Sequence, residues 1–341
     1  DFLTLCAHEY FHLWNVKRVK PRSMVPFDYA QENYTELLWY FEGGTSYYDN
    51  LLTRRAGLMS GARYLTRLGE SLTALHGTPG RNVLPLAEAS IISWTKHYLP
   101  DENTPNTAIS YYLKGELVCA LLDLTIRRAT NDQRSLDDLA RLLWTRFGDE
   151  SGVPEKAIEA AAEEVAGTSL RDFFARALHG TSELNYEVFD HVGLEARFRT
   201  RESTNDKGGT PPRGKGDKIE GWIGVIPKSG NLIATVLDGS PAMGAGLYAE
   251  DEVIAFDGLK CDAAGLVNRC EDKKPGEPVR VTVFRRDRLL EVTVTAGQKP
   301  LDGVYLQRVE RPTEGQKQSF QAWLGTPWTD AESALNEGPL K

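Results

Sequence analysis

The chain reads as a multidomain α+β protein in two unequal parts, a mainly helical one over residues 1–198 and a small β-rich one over 219–298. Three observations lead there. Apolar residues recur at helical spacing through most of the first 190 or so positions, as at Leu136, Leu139, Leu142 and Leu143. Residues 199–218, RTRESTNDKGGTPPRGKGDK, then hold four Gly, two Pro and no apolar side chain, which marks an exposed linker or mobile loop. Beyond it the period becomes two: Val279, Val281 and Val283 alternate, a charged turn follows at 285–288, and Leu290, Val292 and Val294 alternate back as a β-hairpin.

Size and composition agree with that division. At about 150 residues per domain, 341 residues make roughly two domains. Hydrophobic residues at 41% and charged residues at 26% exclude a largely disordered chain. The formal charge, 40 − 48 = −8, argues against a nucleic-acid binder that relies on a basic face. The longest apolar runs, such as 117–122, are far too short to cross a membrane, so no membrane partner is expected. Cys6, Cys119, Cys261 and Cys270 form neither a disulfide framework nor a C-x-x-C pair. Unpaired thiols suit a reducing compartment, so a cytoplasmic location is expected, with the periplasm as the alternative.

Taken in order, residues 2–14 are apolar nearly all round, the mark of a buried helix. The chain enters that run with no initiator Met and no polar lead-in, so a longer parent protein is expected. A second helix spans 34–55, interrupted by Gly43-Gly44, and another buried one spans 115–128. Ser135 with Asp138 makes a capping-box start. Pro154-Glu155 and Gly167 bracket a further helix, and Ser169 and Asp172 cap a short one with Phe173 and Phe174. A C-terminal segment, 299–341, carries an apolar patch at Phe320, Trp323, Leu324 and Trp328 before a polar tail.

The chemistry concentrates in His8-Glu9-Tyr10-Phe11-His12, an H-E-x-x-H on the first helix. Residues i and i+4 share a helical face, so both imidazoles can reach one Zn²⁺, and Glu9 stands near enough to take a proton from water there. Three polar side chains in an apolar helix are costly unless something satisfies them. Hydrolytic zinc sites add a third protein ligand. No H-x-x-G-x-x-H follows His12, which leaves a later carboxylate. Glu42, a charge among aromatic residues just before two glycines that permit close helix approach, is the best candidate. Glu32 and Glu36 lie in a polar stretch and read as solvated. Ser46, one turn after Glu42, is a candidate supporting hydroxyl, though an ordinary helix-internal serine is the plainer reading. Lys17, Arg18, Lys20 and Arg22 read as a solvated exit from the first helix, and His76, His97, His179 and His191 as ordinary histidines.

Three separated segments, HEYFHLWNVKRVKP, LLWYFEGGTSYY and SYYLKGELVCALLDL, resemble the M61 glycyl aminopeptidase family of zinc metallopeptidases. The resemblance implies a gluzincin-type, thermolysin-like catalytic part in which His8, His12 and Glu42 hold one Zn²⁺ per chain and Glu9 is the catalytic carboxylate. It implies an oxyanion-binding tyrosine three residues before the glycine of a Lys-Gly pair, which selects Tyr112. Neighbouring Tyr111 has the same chemistry, but adjacent helical positions point about 100° apart, so only one can face the metal. It implies peptide substrates with small N-terminal residues, Gly and also Ala. It further implies an upstream β-rich region supplying a substrate edge strand and the groups that hold the free α-amine; these 341 residues include none, so the chain is expected to be N-terminally truncated.

Ser240-Pro241-Ala242, Ala245-Gly246-Leu247, Asp251-Glu252-Val253-Ile254 and Asp257-Gly258 resemble a PDZ domain of the bacterial protease type. Gly221-Trp222-Ile223-Gly224-Val225 then resembles its carboxylate-binding loop, departing from the usual G-L-G-F form. Such a loop holds a C-terminal carboxylate while the peptide adds a strand to the sheet edge, so a C-terminal peptide ligand is the implied partner. Two further readings remain: a PDZ-containing peptide-binding scaffold with a vestigial metal site, and a thermolysin-like endopeptidase.

Overall fold

The computed structural model describes residues 2–213 and 219–329. The expected linker's 214–218 and the tail 330–341 lie outside the described residues.

The helical part is α1 (Phe2–Phe11), α2 (Leu38–Phe41), α3 (Gly43–Arg55), α4 (Gly61–His76), α5 (Leu86–Ile91), α6 (Thr104–Thr107), α7 (Tyr111–Ala129), α8 (Leu136–Phe147), α9 (Ala157–Ala166) and α10 (Arg171–Ala177). The apolar run after Gly115 makes α7 the central helix, with α3, α4 and α9 packed around it. Two glycines set how closely the neighbours approach. A Cβ on Gly43 would stand 2.4 Å from the Gly115 Cα, and one on Gly115 would stand 2.4 Å from the Trp39 carbonyl oxygen. The turn joining α2 to α3 therefore meets α7 backbone to backbone, which no side chain at either position would allow. The capping box at Ser135 and Asp138 starts α8, and Gly167 closes α9 in the left-handed conformation.

Two expectations need correction. The first helix is not buried: it ends at Phe11, buries only Thr4, and leaves Phe2 75% and Tyr10 64% exposed. Its inner side rests on α3, where Phe11 stacks on Tyr48 at 4.6 Å; no described element covers its outer side. The polar stretch after residue 198 is not a free linker over its described length. Arg199, 3% exposed, forms a two-pronged ion pair with Asp206 at 2.6 and 3.0 Å. Gly208 and Gly209, at positive φ, lie on α4 against Thr73 and Thr66. Internal charge pairing replaces the apolar contacts the composition lacks.

The β-rich part leaves after β1 (Leu194–Arg199) and comprises β2 (Gly221–Trp222), β3 (Val225–Pro227), β4 (Ile233–Val236), α11 (Pro241–Ala245), β5 (Glu252–Phe256), β6 (Leu259–Lys260), α12 (Ala263–Glu271), β7 (Pro278–Arg285), β8 (Arg288–Thr295) and β9 (Gly297–Gln298). Its main sheet is antiparallel in the order β6-β5-β7-β8, and the alternating valines face each other across β7 and β8, Val279 with Val294 and Val281 with Val292. Ile223, Ile233, Leu247, Leu266 and those valines form a core distinct from the helical one.

The chain then returns. β10 (Gly303–Arg308) pairs antiparallel with β1, from Leu194 opposite Arg308 to Arg199 opposite Gly303. The β-rich part is thus inserted between two paired strands, of which β10 lies on α4. α13 (Glu314–Leu324) follows, and Trp323 donates its indole N–H to the Tyr47 hydroxyl at 2.9 Å. Tyr47 in turn donates to Oδ2 of the buried Asp123, on α7, at 2.6 Å. Phe320, Trp323, Leu324 and Trp328 belong to the helical core.

Candidate metal centre

His8, on the inner side of α1, and His12, whose amide still bonds the His8 carbonyl at 3.2 Å, remain one helical turn apart. Their rings meet edge to face with centroids 4.7 Å apart. Glu42, at the junction of α2 and α3, reaches both: its Oε2 lies 3.5 Å from His8 Nε2 and 3.4 Å from His12 Nε2. The atoms that these three side chains would offer a metal all fall within 4.8 Å of one another.

The far side of each ring is occupied. His8 Nδ1 meets Asp49 Oδ2 at 3.1 Å, and His12 Nδ1 meets the Asn15 carbonyl at 2.9 Å. When the rings are neutral, Nδ1–H donating outward would leave each Nε2 lone pair facing the common centre, the tautomer that metal-binding histidines adopt. Asn15 ties the strap after α1 to the opposite wall, its amide donating to the Tyr40 and Phe41 carbonyls and to Thr45 Oγ1. Burial opposes charge on His8, yet the Asp49 and Glu42 carboxylates outweigh it and push its pKa up to about 9. Burial works against the Glu42 carboxylate as well, but His12 and His8 hold its pKa below the usual value. Such a pocket attracts positive charge, and the donor set, two imidazoles and a carboxylate with both imidazoles oriented from behind, fits a tetrahedral zinc with one position to spare.

Glu9 is exposed on α1, adjacent to His8. The two tyrosines at the start of α7 diverge. Tyr111 is 1% exposed and donates to the Tyr98 hydroxyl at 3.3 Å. Tyr112 is half-buried, its ring 6.4 Å from that of His8. Burial, and then the Glu42 carboxylate, raise the Tyr112 pKa, so its phenol keeps the proton it can donate.

Two placements, those of Asp49 and His97, differ from the reading of the sequence, while Ser46 keeps the plainer of its two readings. Ser46 donates to the Glu42 carbonyl at 3.0 Å, an ordinary helix-internal bond, and the residue behind His8 is Asp49, one turn further on. Seven residues from Glu42 is two helical turns on one face, a signal the sequence did hold. His97, read as ordinary, lies 5.5 Å ring to ring from Tyr112, at the end of a π-helical turn, Ser93–His97. π-Helical turns are rare and concentrate at functional sites. Burial lowers the His97 pKa, leaving a neutral imidazole beside Tyr112. No motif marks it in the sequence.

In the β-rich part, Gly221, Trp222, Ile223 and Gly224 line a cleft together with Val225, Leu237, Val267 and Cys270. Gly224 has φ +76°, and a Cβ there would stand 2.2 Å from the Ser240 Cβ, so the loop requires glycine.

Residues 1–118 match the family model described as M61 glycyl aminopeptidase, and residues 202–296 match that of the PDZ domain. The chain carries an M61 domain and a PDZ domain. An aminopeptidase N family protein from Idiomarina loihiensis, of solved structure, is similar to 96% of the chain at 31% identity with a TM-score of 0.86; the chain covers 55% of that protein. Among curated proteins, a DegP-like periplasmic serine endoprotease of Chlamydia muridarum is 39% identical over 77 residues, which is 22% of this chain and 16% of that protein. Another from Brucella suis is 30% identical over 104 residues, 26% of this chain and 20% of the relative. The chain therefore spans about half of the solved aminopeptidase N family protein and a fifth or less of these curated relatives. Within the M61 domain lie His8, Glu9, His12, Glu42 and Tyr112; within the PDZ domain lies the 221–224 loop.

Proposed function

We propose that this protein is a zinc-dependent aminopeptidase that removes small N-terminal residues, Gly and also Ala, from peptides. The observation that carries the reading is the convergence of His8, His12 and Glu42, with Asp49 and the Asn15 carbonyl orienting the two imidazoles from behind. Zinc held by that set would supply Lewis acidity to the scissile carbonyl and to the attacking water. Glu9 accepts the proton that the water loses and delivers it to the leaving amine. Tyr112, with its phenol protonated, donates a hydrogen bond to the oxygen that gains negative charge. The preference for glycine follows from the likeness of residues 1–118 to the M61 glycyl aminopeptidases. At the PDZ domain the 221–224 loop would take a peptide's C-terminal carboxylate.

Metal analysis with a peptidase assay tests this. The purified protein is expected to hold one zinc per chain and to release p-nitroaniline from glycine p-nitroanilide, while Glu9→Gln keeps the zinc and loses about 10²–10⁴-fold in rate. Absence of stoichiometric zinc overturns the reading. Cleavage of N-terminally blocked peptides as fast as free ones would point to an endopeptidase.

A further inference from the structure

The peptide cleft of the PDZ domain and the start of α7 are joined by one buried side chain. Asn106, 5% exposed in α6, donates through Nδ2 to the Val236 carbonyl at 2.8 Å and accepts at Oδ1 from the Asp238 amide at 2.8 Å. Both amide groups bond one short piece of PDZ backbone, and Nδ2 donates as well to Asn103 Oδ1 at 2.9 Å within α6's own turn. Leu237, between the two bonded residues, donates its amide to the Gly224 carbonyl at 2.8 Å and also lines the cleft. Gly224 closes the carboxylate loop and packs so closely on Ser240 that a Cβ there would stand 2.2 Å from the Ser240 Cβ. On the other side, two residues after Asn106, Ala108 packs so tightly on Gly80 that a Cβ on Gly80 would meet the Ala108 oxygen at 2.1 Å. Ser110, the N-cap of α7, comes next, accepting from Leu113, and then Tyr111 and Tyr112. From the cleft to Tyr112 the path runs through these hydrogen bonds and the short chain 107–110.

We infer that Asn106 is a positioning residue which couples peptide occupancy of the PDZ cleft to the placement of Tyr112. The ligand is a peptide with a free C-terminal carboxylate and an apolar last side chain, matching Ile223, Val225, Leu237 and Val267 in the cleft. Binding orders the Gly224–Leu237 unit, and the paired bonds at Val236 and Asp238 transmit that order to residues 107–113. The inference rests on the reading of Tyr112 as the oxyanion donor.

The test uses the intact protein and a synthetic decapeptide ending in Val-Phe with a free carboxylate, its C-terminal amide being the control. Amide hydrogen exchange follows residues 107–113, and kcat and KM for glycine p-nitroanilide are measured alongside. In the unaltered protein the acid peptide is expected to slow exchange in 107–113 by about fivefold, the lower end of ordinary coupling between sites, and to raise kcat with KM unchanged. Asn106→Ala is expected to bind the peptide as before, to lose both responses, and to show a lowered basal kcat at the same KM. Asn106→Asp, which retains the acceptor for Asp238 but not the donor for Val236, serves if the alanine variant does not fold and is expected to lose the responses too.

Equal responses with and without the Asn106 amide overturn the proposal. So does peptide binding with no response at 107–113, or no binding at all. A protein that responds at 107–113 but releases no p-nitroaniline refutes the peptidase reading and leaves the coupling standing; one that cleaves without responding does the reverse.

Discussion

α1 and α7 bring opposite kinds of support to the same centre. α7 is buried over most of its length, its apolar face continuous with the main core, and it delivers Tyr112 from a helix anchored independently of the site. α1 delivers His8, Glu9 and His12 yet buries a single residue, Thr4, so few of its own apolar contacts hold it. Beside the Phe11–Tyr48 stack, what holds it is polar: Asp49 on His8, the Asn15 carbonyl on His12, and the Asn15 amide on the α2–α3 wall. The difference teaches that the histidine helix is a low-stability element tied down at its functional groups, whereas the tyrosine helix is part of the scaffold.

Four measurements would break or sharpen that contrast. Tyr112→Phe removes a donor from a helix that stays in place, so activity is expected to fall about 10²–10³-fold with melting temperature and zinc content unchanged. A large loss of stability would show that the phenol is structural. Gly115→Ala attacks the scaffold directly, since its Cβ would stand 2.4 Å from the Trp39 oxygen. Unfolding free energy should drop by about 1–3 kcal/mol, and the loss should appear in α7 and α3 alike. Asp49→Asn leaves the scaffold untouched but weakens the grip on His8; zinc affinity should fall about 10–100-fold and exchange should quicken in α1 while α7 is unaffected. Equal quickening in both helices would erase the distinction.

The smallest effect concerns a carboxylate within α7. Burial pushes the Glu116 pKa up to about 8, partly offset by the hydroxyl of Ser71, which donates to it at 2.9 Å. A carboxyl raised in the fold favours folding fully below its unfolded value, near 4.5, and loses that advantage as pH rises through about 8. Glu116→Gln, neutral at every pH, should therefore raise the melting temperature relative to the parent at pH 9 and leave it nearly unchanged at pH 4. Denaturation followed across that interval checks it. An equal shift at both pH values would show that ionisation is not the cause.

Much of the local structure was legible. The β7–β8 hairpin followed from valines at period two, the α8 start from Ser135 and Asp138, and the α9 stop from Gly167, because each is set by groups within a turn or a pair of strands of one another. The metal candidates were legible for the same reason: helical geometry puts His8 and His12 on one face whatever surrounds them. The apolar texture of α1 misled, because a pattern that asks for cover does not say which chain residues will supply it. The stretch after residue 198 misled in the opposite direction: composition registers the absence of apolar side chains but not the Arg199–Asp206 pair that replaces them.

The sequence by itself therefore determined what lies within a few residues of itself: the two-part division, the helix and strand periods, the H-E-x-x-H face, and the glycines that two helices need in order to touch. Only the tertiary structure decided that Asp49 backs His8 across 41 residues, that His97 stands beside Tyr112, that α13 returns to Tyr47, and that Asn106 reaches Val236 across 130. The physical reason is that backbone geometry repeats every turn and can be read off spacing. A contact between distant segments exists only once a whole core has packed, and no short stretch of chain contains that information.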